Sequence, residues 1–77
     1  MASTVLVTGG SGFVGGRLIE RLVAKGYQVR ALARSDDAMR IVQKKGAQPV
    51  RGSLNDAASL ASAVRGCDAV IHVAAYF

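Results

Sequence analysis

A glycine cluster near the amino terminus contains the residues whose spacing is best suited to bind a ligand. Gly10-x-Gly12-x-x-Gly15 follows the apolar run of residues 5–7 and precedes a stretch in which apolar residues recur with helical spacing. Glycines adopt backbone dihedral angles closed to other residues and leave room for a ligand to approach the main chain. A helix start adds unpaired N–H groups and the positive end of the helix dipole. The segment therefore predicts a phosphate-binding loop, and its spacing is that of dinucleotide-binding proteins.

A second candidate for the same ligand lies about 20 positions beyond the loop. Sites for NAD carry an acidic residue there, which binds the adenosine ribose. This chain has Arg34 instead, followed by Ser35. A guanidinium binds a 2′-phosphate through charge-assisted hydrogen bonds, whereas a carboxylate would repel it. Arg34 therefore favours NADP over NAD, and Ser35 can add a hydroxyl.

Two other interpretations of this segment stay open. Arg34 could be a solvated residue at the end of a strand, with no ligand. Asp36 and Asp37 could instead reach a ribose, although acidic residues in the first turn of a helix are also explained by the helix dipole. If the helix that follows faces the site, Arg40 or Lys44 would assist Arg34.

Four strands alternating with three helices would position these residues. The strands are predicted at Thr4–Thr8, Gln28–Ala33, Gln48–Arg51 and from Ala69 to Ala74. The helices are predicted at residues 12–25, from a cap at Ser35 to the region of Lys44, and from a cap at Asn55 or Asp56 to Gly66. Such alternation implies right-handed crossovers and a parallel sheet.

The position of Pro49 predicts the order of the strands. Proline cannot donate to a sheet ladder, so its strand belongs at an edge. With the strand before the glycine loop at the centre, the order becomes 3-2-1-4. The predicted fold class is α/β, a Rossmann-type three-layer fold with a parallel sheet of about four strands. The side chains expected to face the core are Val14, Leu18, Ile19, Leu22 and Val23 of the first helix and Ala38, Ile41 and Val42 of the second. His72, a lone histidine inside an apolar strand, is expected to be a packed structural residue rather than a catalyst.

Composition narrows the class of protein further. The 77 residues suffice for one domain, taken as residues 1–77, and a hydrophobic content of 51% excludes disorder. The apolar runs are too short to span a membrane, and no signal peptide is visible. The lone Cys67 excludes an internal disulfide, fits a reducing cytoplasm, and makes no metal-ligand set with one histidine. The net charge of +5 comes from dispersed residues without interleaved aromatics, which favours a solvated surface over nucleic-acid binding.

In the form Thr8-Gly9-x-x-Gly12-x-x-Gly15, the loop resembles the extended short-chain dehydrogenase/reductase family. Within that family it is similar to the NAD(P)-dependent epimerase/dehydratases and the dihydroflavonol-reductase-like members. Residues 29–34, 51–56 and 72–75 share the resemblance, which covers essentially the whole chain. It implies an NADP-dependent oxidoreductase or epimerase/dehydratase that works by hydride transfer.

The resemblance also implies a role for individual residues. Gly9 would make the tight turn, Gly12 would admit the pyrophosphate, and Gly15 would let the helix pack close to the strand. Ser53 and Leu54 stand where the family has Asp-Leu at the adenine, so the packing residue is kept and the charge is lost. The expected cofactor contacts are Thr8, Gly9, Gly10, Ser11, Gly12, Phe13, Val14, Gly15, Arg34, Ser35, Ser53, Leu54, Ala74 and Ala75.

The catalytic Tyr-x-x-x-Lys pair of the family has no match in these residues. The chain is therefore expected to be the amino-terminal part of such an enzyme, a truncated Rossmann domain with no catalytic residue and no activity alone. Its last strand, from Ala69 to Ala74, would form an exposed apolar edge that favours self-association. Two alternatives are a non-catalytic NADP-binding redox sensor and a minimal fragment suited to studies of folding and assembly.

Overall fold

Four parallel strands make up the sheet in the part of the chain that the structure describes. The structure is a computed structural model that describes residues 3–9, 13–53 and 55–73, with Phe13 described through its backbone alone. The strands are β1 (Thr4–Thr8), β2 (Gln28–Ala33), β3 (Gln48–Arg51) and β4 (Ala69–His72). Their order is β3-β2-β1-β4, which confirms the predicted topology and places Pro49 on an edge strand.

Three helices connect these strands, and each has sequence signals at its ends. They are α1 (Phe13–Ala24), α2 (Asp36–Lys44) and α3 (Ala57–Val64). Ser35 caps α2, where its Oγ accepts from the N–H of Ala38 at 3.1 Å. Asp56 caps α3 by accepting from the N–H groups of the next turn. A glycine with positive φ follows two residues after the last residue of each helix.

The helices cover both faces of the sheet, which makes the fold three-layered as predicted. One buried cluster joins α1 and α2 to the sheet, and its members are Val5, Val7, Ile19, Val29, Ala31, Val42 and Ala47. A smaller cluster on the opposite face joins α3 to the sheet through Leu6, Leu32 and Ala63, with Cys67 half-buried beside them. The central strand β1 is buried on both faces. No helix among the described residues is long and apolar enough to cross a membrane.

The inward faces of α1 and α2 agree with the prediction in part: Ile19 and Val42 are buried, and Leu18 and Leu22 pack against the same core. Three other residues are exposed. Val14 is 66% exposed, Ile41 is 42% exposed and Val23 is 37% exposed. In the first turn of α1 the buried residues are Gly15 and Gly16, so the helix approaches the sheet through residues without side chains. Val14 lies next to that glycine face and points to solvent. On α2, Val42 is fully buried, and the adjacent Ile41 is therefore turned about 100° away.

His72 also differs from its prediction, because it is exposed and not packed inside the sheet. It ends β4, which pairs with β1 and lies at the edge of the sheet in the part of the chain described here. The apolar character of its strand neighbours therefore does not imply burial for His72. Its Nδ1 is nevertheless held by a hydrogen bond to β1.

Candidate cofactor site

The carboxyl ends of the strands meet at one edge of the sheet and form a cleft there. The register pairs Thr8 with Leu32 and with His72, and Ala33 with Arg51, so all four strands end at the same level. A cavity of about 230 Å³ opens at this edge, lined by Thr8, Gly9, Leu32, Arg34, Gly52, Ser53 and Asn55. Four of the predicted cofactor contacts, separated by up to 45 positions in the chain, therefore line one cavity.

A second cavity of about 400 Å³ lies beside the first. Arg34, Gly52 and Ser53 line both cavities, and Arg51, Asp56 and Ser59 complete the second one. The two cavities therefore form one groove that runs from the end of β1, past the end of β2, to the start of α3. A crevice beyond the carboxyl ends of the strands is where doubly wound folds bind ligands.

Gly9 ends β1 with a backbone conformation that requires glycine. Its φ is +77°, and a Cβ added there would lie 2.5 Å from the carbonyl oxygen of Val73. Both the dihedral angle and the close approach exclude a side chain. The chain turns here directly from the central strand toward the loop, as the sequence predicts for Gly9.

Thr8 holds the ends of β1 and β4 together. It is 2% exposed, and a hydrogen bond of 2.5 Å joins its Oγ1 to Nδ1 of His72. The N–H of Val73 donates to the carbonyl oxygen of Thr8 at 3.0 Å. Thr8 therefore lines the cavity, but its hydroxyl is already bound within the protein. Thr8 would therefore contribute to a cofactor site by holding the end of β1 in place, and not through its hydroxyl.

Arg34 extends from the end of β2 as an exposed side chain. Among the described residues its guanidinium has no carboxylate or carbonyl partner. The two acidic residues that follow it are both engaged, since Asp36 pairs with Arg51 at 2.9 Å and Asp37 pairs with Arg40. These ion pairs weaken the alternative in which an aspartate binds a ribose. Arg40 is likewise committed to Asp37, and neither cavity is lined by Arg40 or Lys44.

The two predicted serines both bond to the backbone and keep a donor for a ligand. Ser35 Oγ accepts from Ala38 as the α2 cap, and Ser53 Oγ accepts from the N–H of Asn55 at 3.2 Å. A hydroxyl that accepts one bond still has its own O–H and a second lone pair. Ser53 lies in the groove, while Ser35 lies outside the residues that line it.

Several groove residues were not predicted as contacts. Gly52 is the clearest, because a Cβ there would lie 2.6 Å from Cβ of Ser59 and 2.9 Å from Cδ1 of Leu32. The signal that could have found it is a glycine directly after a strand and four residues before a helix cap. Asn55 and Arg51 belong to the same 51–56 stretch, and nothing local to the sequence distinguishes them as lining residues.

The remaining predicted contacts are only partly described. Gly15 is buried in α1, which agrees with a close approach of helix and strand, and Val14 is exposed beside it. Phe13 begins α1. The residues Gly10, Ser11, Gly12, Leu54, Ala74 and Ala75 lie outside the described residues.

Comparison with known proteins identifies the family. The model of the family described as NAD(P)H-binding matches residues 9–76 of this chain. The chain belongs to this NAD(P)H-binding family. It is 49% identical over 71 residues to a decarboxylating sterol-4-alpha-carboxylate 3-dehydrogenase of Dictyostelium discoideum, covering 92% of this chain and 22% of that protein. A dihydroflavonol 4-reductase of Dianthus caryophyllus is 40% identical over 79 residues, covering 92% and 22%.

A solved structure shares the fold of this NAD(P)H-binding domain. AtPrR2 with NADP+ and (+)pinoresinol has a TM-score of 0.83 and 31% identity, covering 97% of this chain and 27% of that one. The predicted resemblance to extended short-chain dehydrogenase/reductases is thereby confirmed. The chain spans about a fifth of the length of the curated relatives it matches.

Proposed function

We propose that residues 1–77 are a single, partial dinucleotide-binding domain, the NADP(H)-binding portion of an extended short-chain oxidoreductase or epimerase/dehydratase that works by hydride transfer. The proposed preference for NADP over NAD rests on Arg34, because its exposed guanidinium lines both cavities and has no partner in the described part of the chain. Two similar proteins named as a dehydrogenase and a reductase support the reaction class, and NADP+ in the AtPrR2 structure supports the cofactor.

The adenosine half of the cofactor would occupy the groove. Adenine would lie between Leu32 and Gly52, with the Ser53 hydroxyl near its amino group, and the 2′-phosphate would bind Arg34. The pyrophosphate would bind at the start of α1, which follows Gly9 after the glycine loop. The proposed contacts are residues 8–15, 34–35, 53–54 and 74–75.

Calorimetric titration with NADP and with NAD tests this proposal directly. We expect the unmodified chain to bind NADP at least about tenfold more tightly, since the 2′-phosphate gains charge-assisted hydrogen bonds from a guanidinium. Arg34→Asp should reverse this order, because a carboxylate repels the 2′-phosphate and can bind the ribose hydroxyls of NAD. Equal or tighter binding of NAD by the unmodified chain would show that Arg34 is not a phosphate ligand.

Arg21→Asp is the matched control for the change of charge. Arg21 lies in the last turn of α1, is exposed, and lines neither cavity. This variant has the same net charge as Arg34→Asp, so a general electrostatic effect would appear in both. We expect Arg21→Asp to keep the preference for NADP.

Turnover requires groups that these 77 residues do not contain. Neither Tyr27 nor Tyr76 is followed by lysine at the fourth position, so the chain has no Tyr-x-x-x-Lys pair. In the reaction that the resemblance implies, the tyrosine exchanges a proton with the substrate oxygen while the lysine lowers its pKa. We therefore expect the isolated chain to bind NADPH without oxidising it in the presence of carbonyl compounds. A redox sensor would lack the pair in the remainder of the protein as well.

Self-association through β4 is a further part of the proposal. The outer edge of β4 is unpaired among the described residues, and Val70 on it is 50% exposed. An unpaired strand edge with apolar side chains recruits another strand. Sedimentation equilibrium should show oligomers of the 77-residue chain at high concentration, and a strictly monomeric species would contradict this. The cytoplasmic location that a single cysteine suggests stays a prediction.

A further inference from the structure

A second guanidinium lies beside Arg34 at the end of the neighbouring strand. Arg51 is the last residue of β3 and is paired in register with Ala33, which directly precedes Arg34. Both arginines are exposed, and both line the cavity of about 400 Å³. The topology therefore brings two cations to one cavity although they are 17 positions apart in the chain.

The first turn of α2 holds Arg51 in this position. Its Nη1 donates to Oδ1 of Asp36 at 2.9 Å and lies 3.9 Å from the sulfur of Met39. A guanidinium has five N–H donors in a fixed planar arrangement. The donors on Nη2 and Nε have no partner among the described residues. Asp36 therefore orients Arg51 and leaves donors free for an anion.

The charges around the cavity favour an anionic ligand over a cation. Asp56 also lines the cavity, but its carboxylate already accepts from the N–H groups of Ala58 and Ser59 and from the Ser59 hydroxyl at 2.8 Å. Asp36 is paired with Arg51. Arg34 has no such partner in the described part of the chain. The groups left to meet a ligand are thus guanidinium N–H donors, which suit the several oxygens of a phosphate dianion.

We infer that Arg51 binds the 2′-phosphate of NADP together with Arg34, and that Asp36 is the positioning residue for Arg51. This inference rests on the proposed function, because it assigns a second ligand to the phosphate that Arg34 is proposed to bind. Two guanidiniums from adjacent strand ends can each donate to different oxygens of one phosphate group.

Two small nucleotides isolate this interaction. Adenosine 2′,5′-bisphosphate and adenosine 5′-monophosphate differ only in the 2′-phosphate, so the dissociation constant of the monophosphate divided by that of the bisphosphate reports on that group. We expect Arg51→Gln to weaken binding of the bisphosphate about tenfold and to leave the monophosphate within about twofold. Arg51→Lys keeps the charge but not the planar donors, and should lose an intermediate amount. Far-ultraviolet circular dichroism establishes that each variant is folded.

Two further variants separate the possible results. Arg40→Gln is the matched control, since Arg40 is an exposed arginine on α2 that pairs with Asp37 and lines neither cavity. It should leave both dissociation constants unchanged, and Arg34→Gln should reduce the ratio. If Arg34→Gln reduces the ratio while Arg51→Gln behaves like Arg40→Gln, or weakens both nucleotides equally, Arg51 is a structural residue and the proposed function stands. If the unmodified chain does not distinguish the nucleotides, the proposed function fails and this inference fails with it.

Discussion

Two arginines of similar chemistry lie at opposite ends of β2, and their surroundings give them different roles. Arg30, near the amino end, is half-buried, and its Nη1 donates to the carbonyl oxygens of Ala63 at 3.3 Å and Arg65 at 2.6 Å. Arg34, just beyond the carboxyl end, is exposed and has no partner among the described residues. The carbonyls that Arg30 binds are those at the end of α3, which a cation stabilises through the helix dipole.

The acceptors within reach of each guanidinium therefore decide what the arginine does. Arg30 lies on the face of the sheet covered by α3, where the helix end supplies acceptors and the sulfur of Cys67 lies 3.6 Å away. At the carboxyl end of the sheet, Asp36, Asp37 and Asp56 are each engaged by other groups, so no acceptor among the described residues binds Arg34. The amino half of the sheet therefore uses its charges for stability, and the carboxyl edge keeps donors free for a ligand.

The largest loss of stability is expected for a substitution of Gly9, because the backbone at this position has no room for a side chain. Gly9→Ala would place a Cβ 2.5 Å from a backbone oxygen at a φ of +77°. We expect it to lower the free energy of unfolding by about 3 kcal/mol and to weaken NADP binding, because the strand end and loop must shift. Denaturant unfolding and calorimetry measure the two effects.

Gly26→Ala is the control for the dihedral angle alone. Gly26 has a φ of +93°, and no atom lies within 4 Å of an added Cβ. We expect a cost of about 1 kcal/mol and unchanged cofactor binding. If both variants lost the same stability, the close approach at Gly9 would not matter.

Arg30→Gln should come next in size and should separate the two ends of β2. It removes donors from the two carbonyl oxygens at the end of α3, so we expect a loss of about 2 kcal/mol in the free energy of unfolding. The ratio of NADP to NAD affinity should not change. Arg34→Gln should show the opposite pattern, with stability within about 0.5 kcal/mol and a reduced ratio. A change of cofactor preference in Arg30→Gln would contradict the assignment of a purely structural role to Arg30.

The same contrast explains how much the sequence could predict. The strands and their order followed from local features, namely apolar runs, glycines after helices and Pro49 at an edge. The cap at Ser35 followed from residue type and position. These are properties of short segments, so they can be predicted without knowing which residues pack against them. Gly9 and Arg34 were predicted as site residues for the same reason.

Long-range partners could not be predicted in this way. Arg30 meets α3 more than 30 positions away, and Arg51 meets Asp36 across 15 positions. The first turn of α1 also differs from the prediction, because Gly15 and Gly16, which carry no hydrophobic signal, form its buried face and Val14 does not. A local pattern shows which residues are apolar or charged, but packing determines which of them meet.

The smallest expected effect is the pH dependence of stability due to Asp56. This acidic residue lines the groove but caps α3, and it is not expected to bind the ligand. The Ser59 hydroxyl, with the N–H groups of Ser59 and Ala58, lowers the pKa of the Asp56 carboxyl below its usual value of 3.8. A carboxyl with a lowered pKa in the folded state stabilises the protein above its unfolded-state pKa. That contribution should be fully present above pH 3.8 and be lost as the pH falls through the lower folded-state value.

Urea unfolding between about pH 6 and about pH 2 measures this contribution against Asp56→Asn. The asparagine oxygen still accepts from the helix N–H groups but does not titrate, so the stability difference between the two proteins should be constant near neutral pH and shrink below pH 3.8. NADP preference should be the same in both proteins at neutral pH, since the Asp56 carboxylate is already fully engaged with α3. If Asp56→Asn bound adenosine 2′,5′-bisphosphate more tightly, Asp56 would repel the phosphate in the unmodified protein. A structural residue would then also affect ligand binding, in contrast to the separate roles of Arg30 and Arg34.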